Sequence, residues 1–235
     1  MKKSVAIVQS SYIPWKGYFD LIQSVDEFIL FDSVQYTRND WRNRNRIKTP
    51  QGLLWLTIPV ATKGLRDQRI CDTAIVDRSW ADQHLTTISR FYSRAPFAAD
   101  YQPLLAELYR ASQEETHLSR INYRFITSIC SALGISTKIS WSMDHHLPEG
   151  KTERLIALCK AVGADTYLSG PSALDYIDPQ LFSDAGIELR YANYDGYPEY
   201  RQLYPPFTHQ VSILDLLLNE GPNARHYLKG NLLCA

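Results

Sequence analysis

Between Tyr36 and Lys48 the chain reads YTRNDWRNRNRIK, setting Arg38, Arg42, Arg44, Arg46 and Lys48 against the lone carboxylate of Asp40. Five cations and one anion leave this stretch at +4, in a chain whose formal net charge is zero. From Arg42 to Arg46 arginine alternates with asparagine. An extended backbone there puts the arginines on one face and Asn43 and Asn45 on the other. A guanidinium is a planar fork of donors that matches carboxylate and phosphate oxygens. Asparagine is a poor strand former, but it offers a donor and an acceptor to a ligand hydroxyl or amide. A neutral chain that gathers arginine in one place is suited to a discrete anion rather than a polyanion.

Two further stretches carry side chains of use to a ligand. Gln9, Ser10, Ser11, Tyr12, Trp15 and Lys16 follow the apolar run Val5–Val8, with Pro14 and Gly17 as punctuation. Asp32 follows a second apolar run, Glu27–Phe31. In open parallel sheets ligands sit beyond the carboxyl ends of strands, where both places would lie. Ser169-Gly170-Pro171-Ser172 joins a strand to a helix, and its hydroxyls and close-approach glycine suit an oxyanion or phosphate. The competing reading is an ordinary turn with Ser172 as a helix N-cap. Near the C-terminus Tyr191, Tyr194, Tyr197, Tyr200 and Tyr204 mix with Asp195, Glu199 and Gln202, a patch fit either for packing or for a sugar.

Other motifs are weaker. Gly150-Lys151-Thr152 is similar to the end of a P-loop, but His145 stands where the first glycine is needed, so it reads as a helix start. His145 and His146 are adjacent and point apart, and no C-x-x-C or H-x-x-x-H accompanies them, so no metal site is expected. The sequence lacks G-x-S-x-G, G-x-G-x-x-G and D-x-D, which weakens hydrolase, dinucleotide and metal-dependent glycosyltransferase readings.

Strands at Val5–Val8 and Glu27–Phe31 with a helix from Tyr18 to Val25 between them make a parallel β-α-β start. Leu53–Val60 reads as a strand, which leaves the basic stretch on a loop or hairpin. Helices are expected over Ser79–Tyr92, with Ser79 as cap, and over Asp100–Arg110 and Leu118–Leu133. A short strand follows at Ile135–Ser140, then helix Thr152–Val162, strand Thr166–Ser169, helix Pro179–Ala185 and strand Ile187–Tyr191. The expected fold is α/β: a mainly parallel, Rossmann-like sheet flanked by helices, with a helical middle.

At 235 residues, 45% hydrophobic and 21% charged, the composition is that of an ordinary globular chain. Without a linker or repeat, residues 1–235 read as one domain. Cys71, Cys130, Cys159 and Cys234 are widely spaced, which fits reduced thiols and a cytoplasmic location. The first apolar run is too short for a signal-peptide core, and no run approaches the ~20 residues of a membrane span.

Several blocks resemble the WbqC-like family of bacterial proteins: VAIVQSSYIPWKGYFDLI, VQYTRNDWRNRNRIKTPQG followed by WLTIPV, GADTYLSGPS, YPEYRQLYPPF and VSILDLLLNEG. The resemblance runs from Val5 to Gly221. Ser33 departs from it, since a second aspartate often follows the first in the family. The resemblance implies a place in O-antigen or other surface-polysaccharide synthesis. It also implies a transferase that adds an amino acid such as glycine, or another acyl group, to a nucleotide-linked amino sugar. The donor would be an adenylate, a thioester or a charged tRNA, the last being the one nucleic-acid partner expected. Tyr12, Pro14, Trp15, Gly17, Trp41 and the run Arg42–Arg46 fall on family motif positions.

Acyl transfer to an amine requires a deprotonated amine, a held donor and hydrogen-bond donors facing the oxyanion. On that chemistry Arg42, Arg44 and Arg46 hold phosphate, Asp32 or Asp40 serves the amine, and Lys16 serves phosphate or oxyanion. Asn43, Asn45 or the Ser169–Gly170 backbone faces the oxyanion. Two alternatives stay open: a non-catalytic nucleotide-sugar or glycan-binding protein, and a nucleotidyl transferase. The strand–loop–helix layout is similar to that of nucleotidyl transferases, but P-W-K-G-Y replaces their H-x-G-H.

Overall fold

The computed structural model describes residues 2–175 and 177–232. Its centre is a five-stranded, all-parallel sheet. The strands are β1 (Ser4–Val8), β2 (Glu27–Leu30), β5 (Lys138–Trp141), β6 (Thr166–Ser169) and β7 (Glu188–Tyr191), in the spatial order β5-β2-β1-β6-β7. Val5 pairs with Glu27 and Val8 with Leu30, so the first two apolar runs are parallel neighbours as expected.

Along β1 the side chains alternate. Val5 and Ile7 pack into a cluster with Leu155, Leu158, Tyr167 and Phe182, whereas Ala6 packs with Phe19, Ile22 and Phe28 on the other side. Helices therefore cover both sheet faces, which explains why the first two strands read as unbroken apolar runs. On the Val5 side lie α5 (Lys151–Ala161) and α6 (Pro179–Asp184). On the Ala6 side lie α1 (Lys16–Gln23), α2 (Trp80–Tyr92), α3 (Ala98–Gln113), α4 (Leu118–Ala132) and α7 (Ile213–Glu220).

Between β2 and β5 the chain inserts an antiparallel hairpin, β3 (Arg44–Thr49) with β4 (Gly52–Thr57), followed by α2–α4. From β1 the chain moves outward through β2 to β5, then crosses back past β1 to lay down β6 and β7. The connection changes direction between β1 and β6. In doubly wound sheets that point opens a crevice beyond the strand ends. Among the described residues no helix is long and apolar enough to cross a membrane.

Three local expectations change. Helix α1 starts at Lys16 rather than Tyr18, with Trp15 as its extended N-cap residue, so Lys16 leaves the loop and enters a buried helical turn. Ser79 does not cap α2. Its own N–H and hydroxyl instead donate to Asp77, both at 2.8 Å. Ser172 is not a helix cap either: it lies in a 3-10 turn, and Asp178 caps α6 by accepting from the Gln180 N–H. Helix α7 carries no legible period because Leu214, Leu216, Leu217 and Leu218 are all buried, leaving no polar face to mark it.

Candidate functional site

At the switch point a cavity of about 640 Å³ opens beyond β1 and β6. Val8 and Gln9 reach it from β1, and Ser169, Gly170 and Ser172 from the end of β6. Lys151 and Arg154 enter from the first turn of α5, whose helix dipole adds positive potential there. The aromatic wall is Trp15, Tyr18 and Tyr194. Trp15 packs edge-on against Tyr194 with ring centroids 5.2 Å apart, and its ring folds back over Gly17. A Cβ at Gly17 would sit 2.2 Å from that indole, so only glycine lets the tryptophan lie where it does.

A second cavity of about 440 Å³ shares Val8, Trp15, Tyr18 and Arg42 with the first. It continues along Ser11, Trp41, Asn45 and Arg46 to His209 and Gln210. Arg42 stands on both walls. It is 8% exposed, and its Nε and Nη1 are buried with no hydrogen-bond partner among the described residues. Its nearest counter-charge is Asp40, with Nε to Oδ2 at 3.8 Å. The backbone holds it in place, since the Arg42 carbonyl accepts from Asn122 Nδ2 at 2.9 Å. A buried cation with idle donors is costly unless something anionic arrives to meet it.

The hairpin follows the alternation from Arg44 on, but Arg42 and Asn43 precede β3 and are both buried. Arg44 and Arg46 share the outer face, while Asn45 and Ile47 point inward. The asparagines are already spent. Asn43 Nδ2 donates to the Ile58 carbonyl at 2.8 Å. Asn45 Nδ2 donates to the carbonyls of Tyr12 at 3.1 Å and Ile13 at 2.9 Å, and its oxygen accepts from the Arg46 N–H. These bonds tie the hairpin to the loop after β1. Ile13, a β-branched residue at φ 38°, is held there in left-handed backbone.

Of the residues singled out from sequence, Gln9, Trp15, Arg42, Ser169, Gly170 and Ser172 meet at the first cavity. Trp15, Arg42, Asn45 and Arg46 meet at the second. Ser11 and Trp41 also line the second, and Tyr194 of the tyrosine patch lines the first, whereas Tyr12, Lys16, Asp32, Asp40, Asn43 and Arg44 lie off both walls. Tyr12 is core: its hydroxyl bonds His84 Nδ1 at 2.9 Å and Tyr109 Oη at 2.6 Å, and burial pushes its pKa well up. Lys16 donates to the Pro198 carbonyl at 2.9 Å and lies 4.8 Å from the Tyr197 ring centre. Burial lowers its pKa to about 8, with Asp20 pulling the other way.

Asp32 is sealed, accepting from the Ser10 N–H at 2.8 Å and from the Ser119 hydroxyl. Burial raises its pKa against those two bonds. Asp40 is bound to Thr37 Oγ1 at 2.7 Å and to the Trp41 N–H at 2.6 Å. Burial acts to raise its pKa, but Arg42, Thr37 and the Trp41 N–H outweigh it and hold the group below the usual carboxylate range. Arg44 stacks on Trp55 and bonds the Asn39 carbonyl.

Sequence reading missed Lys151, Arg154, Tyr18 and His209. Gly150-Lys151-Thr152 was visible, but its role as a helix start hid its place at the cavity mouth. His209 had no signal at all. It lies on the long segment after β7 and packs edge-on to Phe207 at 4.6 Å. Its Nδ1 is buried without a hydrogen-bond partner among the described residues. Burial, and then the charge of Lys16, lower its pKa and keep the imidazole neutral.

Strand order and switch-point crevice together define a doubly wound α/β protein, with Arg42, Lys151 and Arg154 lining the crevice. The model of the WbqC-like protein family matches residues 9–227, and the chain belongs to that family. It is 50% identical over 227 residues to the uncharacterized protein Rv1507c of Mycobacterium tuberculosis, covering 97% of this chain and 98% of that one. No solved structure matches.

Proposed function

We propose that this chain transfers an acyl or aminoacyl group, such as glycyl, to the amine of a nucleotide-linked amino sugar used in bacterial surface polysaccharide. The observation that carries this reading is Arg42, a buried cation with two idle donors on the wall shared by two cavities. The first cavity takes the acceptor. Its phosphates face Arg42, Lys151, Arg154 and the turn from Ser169 to Ser172, while its rings lie on Trp15, Tyr18 and Tyr194. The second cavity takes the acyl donor between Arg46 and His209.

The amine nitrogen attacks the donor carbonyl carbon and forms the C–N bond. The bond from that carbon to the leaving atom then breaks, and the electron pair departs with the leaving atom. In an adenylate that atom is a phosphate oxygen, in a thioester the sulfur, in a charged tRNA a ribose oxygen. His209, neutral and with a free ring nitrogen, takes the amine proton in place of the carboxylates favoured from sequence. Arg42 and Arg46 face the oxyanion.

The test is a panel of nucleotide-linked amino sugars with each donor class, read by mass spectrometry for a new amide on the sugar. His209→Asn should cut turnover by ~10²-fold while acceptor binding stays. Tight acceptor binding with no product from any donor would turn the reading into a binding protein. Pyrophosphate release from a nucleoside triphosphate without amide formation would turn it into nucleotidyl transfer.

A further inference from the structure

The outer face of the β3–β4 hairpin carries an aromatic and basic surface just outside the second cavity. Trp41 and Trp55 are each 40% exposed, with ring centroids 5.3 Å apart and planes tilted by 38°. The Arg44 guanidinium lies 4.3 Å from the Trp55 ring centre. Arg46, directly opposite Trp55 in the ladder, lies 5.1 Å from that ring and 5.3 Å from Trp41. The Nε atoms of both arginines are buried and have no hydrogen-bond partner among the described residues. Trp41 and Arg46 also line the second cavity, so the surface and the cavity are continuous.

This face offers flat π surfaces and cationic donors, and its nearest side-chain acceptors already hold partners. The Asp40 oxygens are engaged by Thr37 and the Trp41 N–H, and Gln210 Oε1 accepts from Arg46 Nη2 at 3.0 Å. The side-chain amide donors of Asn43 and Asn45 are used inside the fold. A sugar ring needs acceptors for its hydroxyls as well as a stacking partner. A nucleobase attached to phosphate needs stacking partners and cations, which is what stands here.

We infer that Trp41, Trp55, Arg44 and Arg46 form a base-stacking platform that holds the adenosine nucleotide of the acyl donor. This rests on the reading of the second cavity as the donor cavity. The three donor classes share this chemistry: an acyl adenylate, the adenosine end of a coenzyme A thioester and the terminal adenosine of a charged tRNA all bring adenine beside phosphate. The platform leaves the acyl end free to reach Arg46 and His209.

Calorimetric titration of the intact protein tests this with AMP, coenzyme A and a single-stranded oligonucleotide ending in CCA. Ribose 5-phosphate serves as the control with phosphate but no base. AMP should bind at least about fivefold tighter than ribose 5-phosphate, as stacking of one base predicts. Trp55→Ala should abolish that advantage and Trp55→Phe should keep most of it, both with unchanged circular dichroism. Whichever of the three adenosine probes binds tightest, through Trp55, identifies the donor class. Equal binding of AMP and ribose 5-phosphate would overturn the platform, as would failure of all three adenosine probes to bind. If none binds yet amide product still forms, the platform falls and the transferase reading stands. If they bind through Trp55 and no acceptor is ever acylated, the platform stands and the transferase reading falls.

Discussion

Replacing Arg42 with methionine should make the protein more stable and less able to bind. The side chain is a buried cation whose Nε and Nη1 have no hydrogen-bond partner among the described residues. Each idle buried donor costs about 1–3 kcal/mol, and more on a charged group. Against that stands the attraction of Asp40 at 3.8 Å. At an effective dielectric of about 20 the bare Coulomb energy at that distance is about 4 kcal/mol. Asp40 is 35% exposed, however, and pairs of that kind contribute about 0–1 kcal/mol when measured.

Taking the low end of the donor cost, since a polar cavity admits water, leaves a net gain of about 1–2 kcal/mol for Arg42→Met. For a chain of this size that raises Tm by roughly 2–8 °C. The carbonyl that holds Asn122 is backbone and survives the change. Binding should move the other way. Two lost charge-assisted hydrogen bonds, at about 1.5–3 kcal/mol each, weaken an anion by at least ~10²-fold.

Thermal unfolding followed by circular dichroism, with calorimetric titration of pyrophosphate and a nucleoside diphosphate, measures both. Arg42→Lys should fall between wild type and Arg42→Met in affinity, because a point charge replaces the fork. A variant that melts several degrees lower, with ligand affinity intact, would refute the reasoning and make Arg42 a structural partner of Asp40.

Other substitutions separate fold from chemistry. His84 is buried and held neutral, its pKa lowered by burial to about 4 from 6.5. Its contribution is therefore fully present above about pH 6.5 and is lost as pH falls through about 4. Between pH 7 and 4 His84→Gln should lose about 3 kcal/mol less stability than wild type, measured by urea unfolding at both pH values. Because the His209 pKa lies below 6.5, a His209-dependent acid limb of turnover should lie below pH 6.5 and be lost in His209→Asn, leaving only the limb of the acceptor amine, as a pH–rate profile would show. Asp215 accepts from Tyr92 Oη and Tyr200 Oη at 2.7 Å and from Gln202 Nε2 at 2.9 Å, so Asp215→Ala should cost roughly 3 kcal/mol in denaturant melts. Asp32→Asn should lower Tm, because the amide keeps one acceptor oxygen for the Ser10 N–H but no longer offers a charged acceptor to the Ser119 hydroxyl. An unchanged Tm with ~10²-fold lower turnover would instead return Asp32 to the role of base.

The sheet was legible because its physics is local. Val5–Val8 and Glu27–Leu30 are buried on both faces, so each is an unbroken apolar run, and a short helical crossover leaves parallel pairing as the natural outcome. The alternation likewise announced two faces from Arg44 to Ile47, where strand geometry sends neighbouring side chains apart, but not at Arg42 and Asn43, which precede the strand. Ser169 and Gly170 were found because they follow a strand that ends at the ligand edge of the sheet.

What each polar group does with its hydrogen bonds was decided only by the tertiary structure. Asp32, Tyr12, Asn43 and Asn45 look like ligand-binding groups in sequence. Buried polar atoms must find partners, and these found them inside the fold: Ser119, His84, the Ile58 carbonyl and the loop after β1. Arg42 has the same composition signal as Arg44 and Arg46, yet it alone is both buried and on the wall of the two cavities. Lys151 and His209 lie far from the basic run in sequence. They reach the site because α5 starts at the carboxyl edge of the sheet and the segment before α7 folds across the hairpin, tied by Ser212 N–H to the Arg46 carbonyl at 2.8 Å. Sequence spacing sets faces and periods, but partnership across 100 residues or more depends on how the elements pack.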